Sequence, residues 1–253
     1  MNPARANLDL PNPSSEGQRA NNIEEQSMTL APHEAADIVI KCVVQMADEG
    51  RPLMNRVLPG DECRVWDHYP DDDARDAVTG SRWYYHVHEP GDRDPAEHGH
   101  FHLFLHRDQI APSCETLAAP DTDAMAAPMV HIAGLSIDHQ GVPIAWFATN
   151  RWVTDEFLYP AETVIAHLDR YDVDNTEEDD LTNRLLTAMV ALYRNDLADL
   201  LRQRDKMLKN LKQTLGDDVY EQGHDVIASA PIDLDAKIDA IGESQRRVPP
   251  SDA

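Results

Sequence analysis

Between residues 81 and 106 the chain reads SRWYYHVHEPGDRDPAEHGHFHLFLH, with polar and apolar side chains alternating on both sides of a break rich in Pro, Gly and Asp. Alternation with period two marks a strand that has one covered apolar face. A helix over the same residues would scatter the histidines around its circumference. The stretch therefore predicts a β-hairpin. In the first run Tyr84, His86 and His88 share a face, and Trp83, Tyr85 and Val87 share the other. In the second run His98, His100 and His102 share a face, and Gly99, Phe101, Leu103 and Leu105 share the other. A one-residue slip would turn every apolar side chain into water, so the register pairs His86 with His100, Tyr84 with His102 and His88 with His98.

Directly opposed Cβ atoms in such a hairpin stand ~4.5–5.5 Å apart. His86, His88, His98 and His100 then form a small square, with His102 beside it. That is the reach needed to surround one ion with imidazole nitrogens at ~2.0–2.1 Å. Protonated together, these rings would repel; buried and neutral, each would need partners for both nitrogens. A metal answers both demands. Imidazole suits zinc, iron and copper, so the expected cofactor is a divalent transition metal. Glu97 and Glu89 flank the square, and Glu97 is a candidate ligand, ring-orienting group or general base. Arg151, where the last strand run gives way to helix, is a second candidate catalytic residue, because a guanidinium clamps a carboxylate or phosphate with two hydrogen bonds. His68 is a further candidate near the square. Whether the ion would serve a reaction on a small-molecule substrate is left open by these residues.

The rest of the chain supplies the frame. Residues 1–28 and 244–253 lack periodicity and read as disordered tails around a single domain at 29–243. A helix is predicted from Pro32 to Gly50, with Ala35, Ile38, Val39, Cys42, Val43 and Met46 on one stripe. Short strand runs follow between about 62 and 150: CRVWDHYP, the two histidine runs, MVHIAGLSID and PIAWFATNRW. Residues 111–128 read as a long loop, and His139-Gln140-Gly141 as a hairpin turn with a positive φ at Gly141. Pro160 opens a further helix. A long one is predicted over 177–214, and a shorter helical piece over 217–243. The order helix, strands, helices predicts an α+β fold: a small antiparallel meander with one histidine face, packed by N- and C-terminal helices.

Three resemblances accompany this reading. DHYP, RWYYHVHEPGDRDPAEHGHFHLFL and GVPIAWFATNRWVTDE, over roughly residues 66–156, resemble an uncharacterised bacterial family, a domain of unknown function that brings no activity with it. His98-Gly-His100-Phe-His102 resembles the alternating motif of the histidine-triad nucleotide hydrolases and transferases. That resemblance implies His100 as a nucleophile toward an α-phosphate. Gly99 stands where that family carries a bulky apolar residue, and His86 and His88 have no counterpart there. The HxH spacing with a nearby Glu is similar to the cupin arrangement, although Glu89 follows His88 immediately.

Charge narrows the partners. Lys and Arg number 22 against 46 Asp and Glu, a net charge of −24. Such a surface repels nucleic acid and anionic membranes. No apolar run reaches the ~18 residues of a membrane span, and the N-terminus lacks a signal-peptide core. Cys42, Cys63 and Cys114 form no disulfide framework, which suits a reducing cytoplasm. The leucine face of the 177–214 helix offers a homo-oligomer contact, the basis of a third, non-catalytic reading. Asp172-Val-Asp174-Asn175 is not a calcium loop, because Glu177 occupies the glycine position.

Overall fold

The computed structural model describes residues 30–60, 63–121 and 128–247. The expected tail at 1–28 lies outside them, as do residues 248–253 of the C-terminal one. Six strands form one antiparallel sheet in the order β1-β2-β3-β4-β5-β6: β1 Tyr69–Arg75, β2 Arg82–His86, β3 Glu97–His106, β4 Met129–Asp138, β5 Pro143–Thr149 and β6 Val226–Pro231. The fold is α+β, as predicted. The core face of the sheet carries Trp83, Tyr85, Phe101, Leu103, Leu105, Leu135 and Trp146.

Helices close that face. α1 (Pro32–Asp48) begins at a proline, and Glu34 Oε2 accepts from the Ala31 N–H at 2.9 Å. After the single turn α2 (Met54–Val57) the chain enters the sheet. α3 (Arg151–Thr154) and α4 (Ala161–Ile165) follow β5. α5 (Asp180–Leu192) is capped by Asp179, whose Oδ1 accepts from the N–H groups of Leu181 and Thr182. α6 (Arg194–Leu215) leads to β6, and α7 (Leu234–Arg247) ends the described chain. α1 packs on α5, and their Val39, Cys42, Leu185 and Met189 join the sheet residues in one core. Trp83 Nε1 donates to Asn183 Oδ1 of α5 at 2.9 Å, which fixes sheet to helix.

Five details differ from the sequence reading. The first strand run slides toward Arg75, because an edge strand with one neighbour tolerates Asp71 and Asp72 pointing at water. Val43 of the predicted α1 stripe is half exposed, since the buried stripe follows Ala35, Ala36, Val39, Cys42 and Met46. The long helix breaks at Tyr193, where the ring is buried against Trp146. The 217–243 segment is not one helical piece: VIASAP forms β6, pairing Phe147 with Ser229, and α7 follows it. Small residues hid that strand from a pattern search. The leucine face proposed as an oligomer contact is covered within the chain, with Leu181, Leu185, Met189, Leu200 and Leu208 all buried.

Candidate metal centre

The β2–β3 register places His86 opposite His100 and Tyr84 opposite His102, as the alternation predicts. Across β3, His100 pairs with Ser136 and His102 with Gly134 of β4. His86, His100 and His102 are buried, and each offers a ligand nitrogen such that the three lie within 4.8 Å of one another. Nε2 of His86 is 2.7 Å from Nε2 of His100.

The square of the sequence reading opens at one corner. β2 ends at His86, and the register between β3 and β4 shifts between Glu97 and Gly99. The bulge turns His98 to the core side, where its Nδ1 lies 2.7 Å from the Tyr85 hydroxyl. His98 is thus separated from the other ligand candidates. Glu97 takes the vacated place: its Oε1 is 2.7 Å from Nδ1 of His100. Arg93 holds the same carboxylate through Nε to Oε1 and a terminal nitrogen to Oε2. Gly99 is required by this turn of the chain, since a Cβ there would stand 2.5 Å from both the His86 carbonyl oxygen and the Tyr85 hydroxyl. His88 lies beyond the strand end, half exposed, with its ring centroid 4.9 Å from that of His86 and 5.0 Å from that of His100.

Several participants escaped the sequence reading. His131 of β4 is buried, with Nε2 3.0 Å from Nδ1 of His102 and Nδ1 3.1 Å from Thr149 Oγ1. A lone histidine inside MVHIAGLSID gives no pattern to detect. Phe147 lies against His100 and His102, with centroids 4.9 and 5.7 Å away. Its ring occupies the space that a side chain on Gly134 would fill. Arg93 stacks on the outer face of Phe147 at 4.4 Å. Trp66 is exposed, holds a φ of 70°, and sets its ring 4.2 Å from that of His88. His68, already a candidate from the sequence, stacks on Tyr84 and pairs with Asp73, at the rim.

Electrostatics keep the rings neutral. Burial pushes His86 down to about 2, with further repulsion from His100 and His88. Burial lowers His100 to about 4 against the opposing pull of Glu97, and lowers His131 to about 3. His102 is driven well down by burial and by His100. Burial pushes the Glu97 carboxyl up, but the His100 and Arg93 hydrogen bonds reverse this and hold it at about 2. At neutral pH the site is therefore three neutral imidazoles and one carboxylate.

Arg151 stands apart from this group. It is fully buried and ion-paired with Asp121 at 3.0 Å, Asp155 at 2.9 Å and Glu221, and it donates to the Ala119 carbonyl. Those bonds tie the 119–121 loop to the segment entering β6. The geometry that would clamp a substrate anion is spent on the chain's own carboxylates.

Residues 33–232 match the family described as a domain of unknown function, DUF6969. The chain belongs to that family. The match extends well beyond the 66–156 core of the sequence resemblance and takes in α1, the whole sheet and α6. No curated protein and no solved structure matches this DUF6969 chain. Among the described residues, no helix is long and apolar enough to cross a membrane.

Proposed function

We propose that this DUF6969 protein binds one divalent transition-metal ion through His86, His100 and His102. The observation that carries the reading is the hydrogen bonding behind two of the three rings, those of His100 and His102. His100 Nδ1–H donates to Glu97, which makes Nε2 the nitrogen that carries the lone pair. With His131 Nδ1–H donating to the Thr149 hydroxyl, His131 Nε2 accepts from His102 Nδ1–H. The Glu97 carboxylate fixes the His100 tautomer and raises the basicity of its Nε2, and the His131–Thr149 chain admits the tautomer that leaves the His102 Nε2 lone pair to a metal. His86 Nε2–H donates to His100 Nε2. Ligand nitrogens around a tetrahedral ion sit roughly 3.3 Å apart, so loading asks the two to part by roughly 0.6 Å.

Three neutral ligands leave the ion's full double charge and an open coordination position. A metal with that donor set acidifies water and polarises carbonyl or phosphoryl oxygens. Within this chain, His88 stands at the open side as the imidazole placed to accept a proton, and Glu97 serves as the orienting group for His100. The function that follows is a metal-dependent hydrolase or oxygen-chemistry enzyme acting on a small molecule, with zinc, iron or copper as the ion. A histidine-triad phosphoryl transfer is less well supported. His98 does not share a face with His100 and His102.

Titration of the metal-free protein with zinc tests the reading. About one tight equivalent is expected for the parent, and none for His102→Ala. A parent that takes up no zinc, cobalt or copper would overturn it.

A further inference from the structure

Beside the proposed centre lies a cleft of about 330 Å³, lined by residues of the 88–98 segment and by His139 of the β4–β5 turn. Clefts that take organic ligands are walled mainly by apolar and aromatic side chains. This one is not. Six of its ten lining residues carry metal-ligating groups: His88, Glu89, Asp94, Glu97, His98 and His139. The rest are Pro90, Gly91, Arg93 and Pro95.

We infer that the cleft is the entry channel through which the metal ion reaches the inner histidines, with His98 and His139 as the outer capture pair. This rests on the metal-binding reading given above. His98 and His139 set their ring centroids 5.4 Å apart at 89°. His98 is half exposed and His139 exposed, so an ion meets both from water. Tyr85 anchors His98 at Nδ1, so Nε2 is the nitrogen left for a cation. A hydroxyl both donates and accepts, so Tyr85 can accept from Nδ1–H when the outer nitrogen binds a cation. His88 also lines the cleft, and its ring is about equally close to His86 and His100. Glu97 reaches from the cleft wall to His100 Nδ1. The cleft thus connects the outer pair to His88, and His88 in turn lies against the inner His86 and His100. An ion can pass along this path by exchanging one ligand at a time, each incoming nitrogen displacing one water. Glu89 and Asp94 at the mouth, on a chain of net charge −24, draw cations inward.

The bulge at Glu97–Gly99 acquires a second meaning here. It removes His98 from the inner set and delivers it to the channel. Two imidazoles in open water bind more weakly than three buried ones with oriented nitrogens. The outer pair therefore captures without retaining.

Loading of the metal-free full chain with cobalt(II), followed by its visible absorption in a rapid-mixing instrument, tests the inference. His98→Ala/His139→Ala should load at least tenfold more slowly than the parent and reach the same final absorbance. His139→Ala alone, at an exposed turn position that leaves the fold intact, should slow loading several-fold. His33→Ala on α1 should load at the parental rate. Parental rates in both cleft variants, or equal slowing by His33→Ala, would overturn the channel. A cleft double variant that loses its final absorbance would make the pair ligands of the centre and would likewise overturn it. A parent that never develops cobalt absorption would instead overturn the metal centre itself.

Discussion

Glu97 Oε1 lies 2.7 Å from Nδ1 of His100, three positions further along the same strand. In a regular strand residues three apart point to opposite faces. The bulge between Glu97 and Gly99 is what brings them together. One inserted residue therefore exchanges a histidine for the carboxylate that orients another histidine.

Glu97→Gln follows directly. Glutamine keeps an oxygen that accepts from His100 Nδ1–H but loses the charge. The fold should survive, and metal affinity should fall by about 10- to 100-fold, the usual effect of weakening a partner behind a ligand. Competition against a chromophoric chelator measures it. Parental affinity would show that Glu97 does not tune His100.

Gly99→Ala should be among the costliest changes of a single methyl group. The new Cβ would meet the His86 carbonyl oxygen, a backbone atom that cannot swing aside. About 2 kcal/mol or more of destabilisation is expected, together with loss of metal. Denaturant unfolding checks the first and metal titration the second. An unchanged midpoint would mean that the bulge relaxes easily and does not hold the site.

The pairing of neighbouring strands was legible because Trp83, Tyr85, Phe101 and Leu103 alternate so strictly with polar partners that one register satisfies them. His86 and His100 therefore stood opposite each other on sequence grounds alone, and the α+β class followed from the order of periodicities. The bulge was not legible. Period-two reasoning assumes an unbroken ladder, and only the Tyr85–His98 contact and the crowding around Gly99 show where it breaks. His131 was hidden because its role depends on β4 lying beside β3, a pairing that no local pattern states. Gly134 and Phe147 are a complementary pair across strands, visible only in three dimensions. β6 was lost because Ala228, Ser229 and Ala230 carry no strand signature, and its place at the sheet edge comes from the turn after α6.

Stability of the metal-free protein should fall with acid. His86, His100, His102 and His131 all have folded values below the ordinary 6.5. The unfolded chain then binds more protons, so the stability they contribute is complete above pH 6.5 and is lost as pH falls toward 4 and below. Glu97, held at about 2, acts in the same direction below its ordinary 4.5. Glu156, raised to about 7 chiefly by burial, opposes it: its contribution is present below 4.5 and lost as pH rises through 7. Four histidines outweigh one carboxyl. The slope between pH 6.5 and 4.5 should approach roughly 4 kcal/mol per pH unit. Urea unfolding at pH 7.5, 6.5 and 5.5 measures it, and a flat profile would show that the histidines are not buried as neutral rings.

Arg151→Ala separates the second buried cluster from the first. The substitution removes a fully buried guanidinium together with its ion pairs to Asp121, Asp155 and Glu221. A loss on the order of 2–4 kcal/mol is expected. Metal content of the folded variant should match the parent, because none of the described Arg151 partners belongs to the histidine group. A folded Arg151→Ala protein without metal would join the two clusters after all.

The central claim is that His86 and His100 hold an ion from opposite strands. Elemental analysis of protein purified without an affinity tag, parent beside His86→Ala/His100→Ala, tests it most directly. The account predicts about one zinc, iron or copper per parent chain and almost none in the double variant. Equal metal in the two proteins, or none in either after incubation with all three ions, would contradict it.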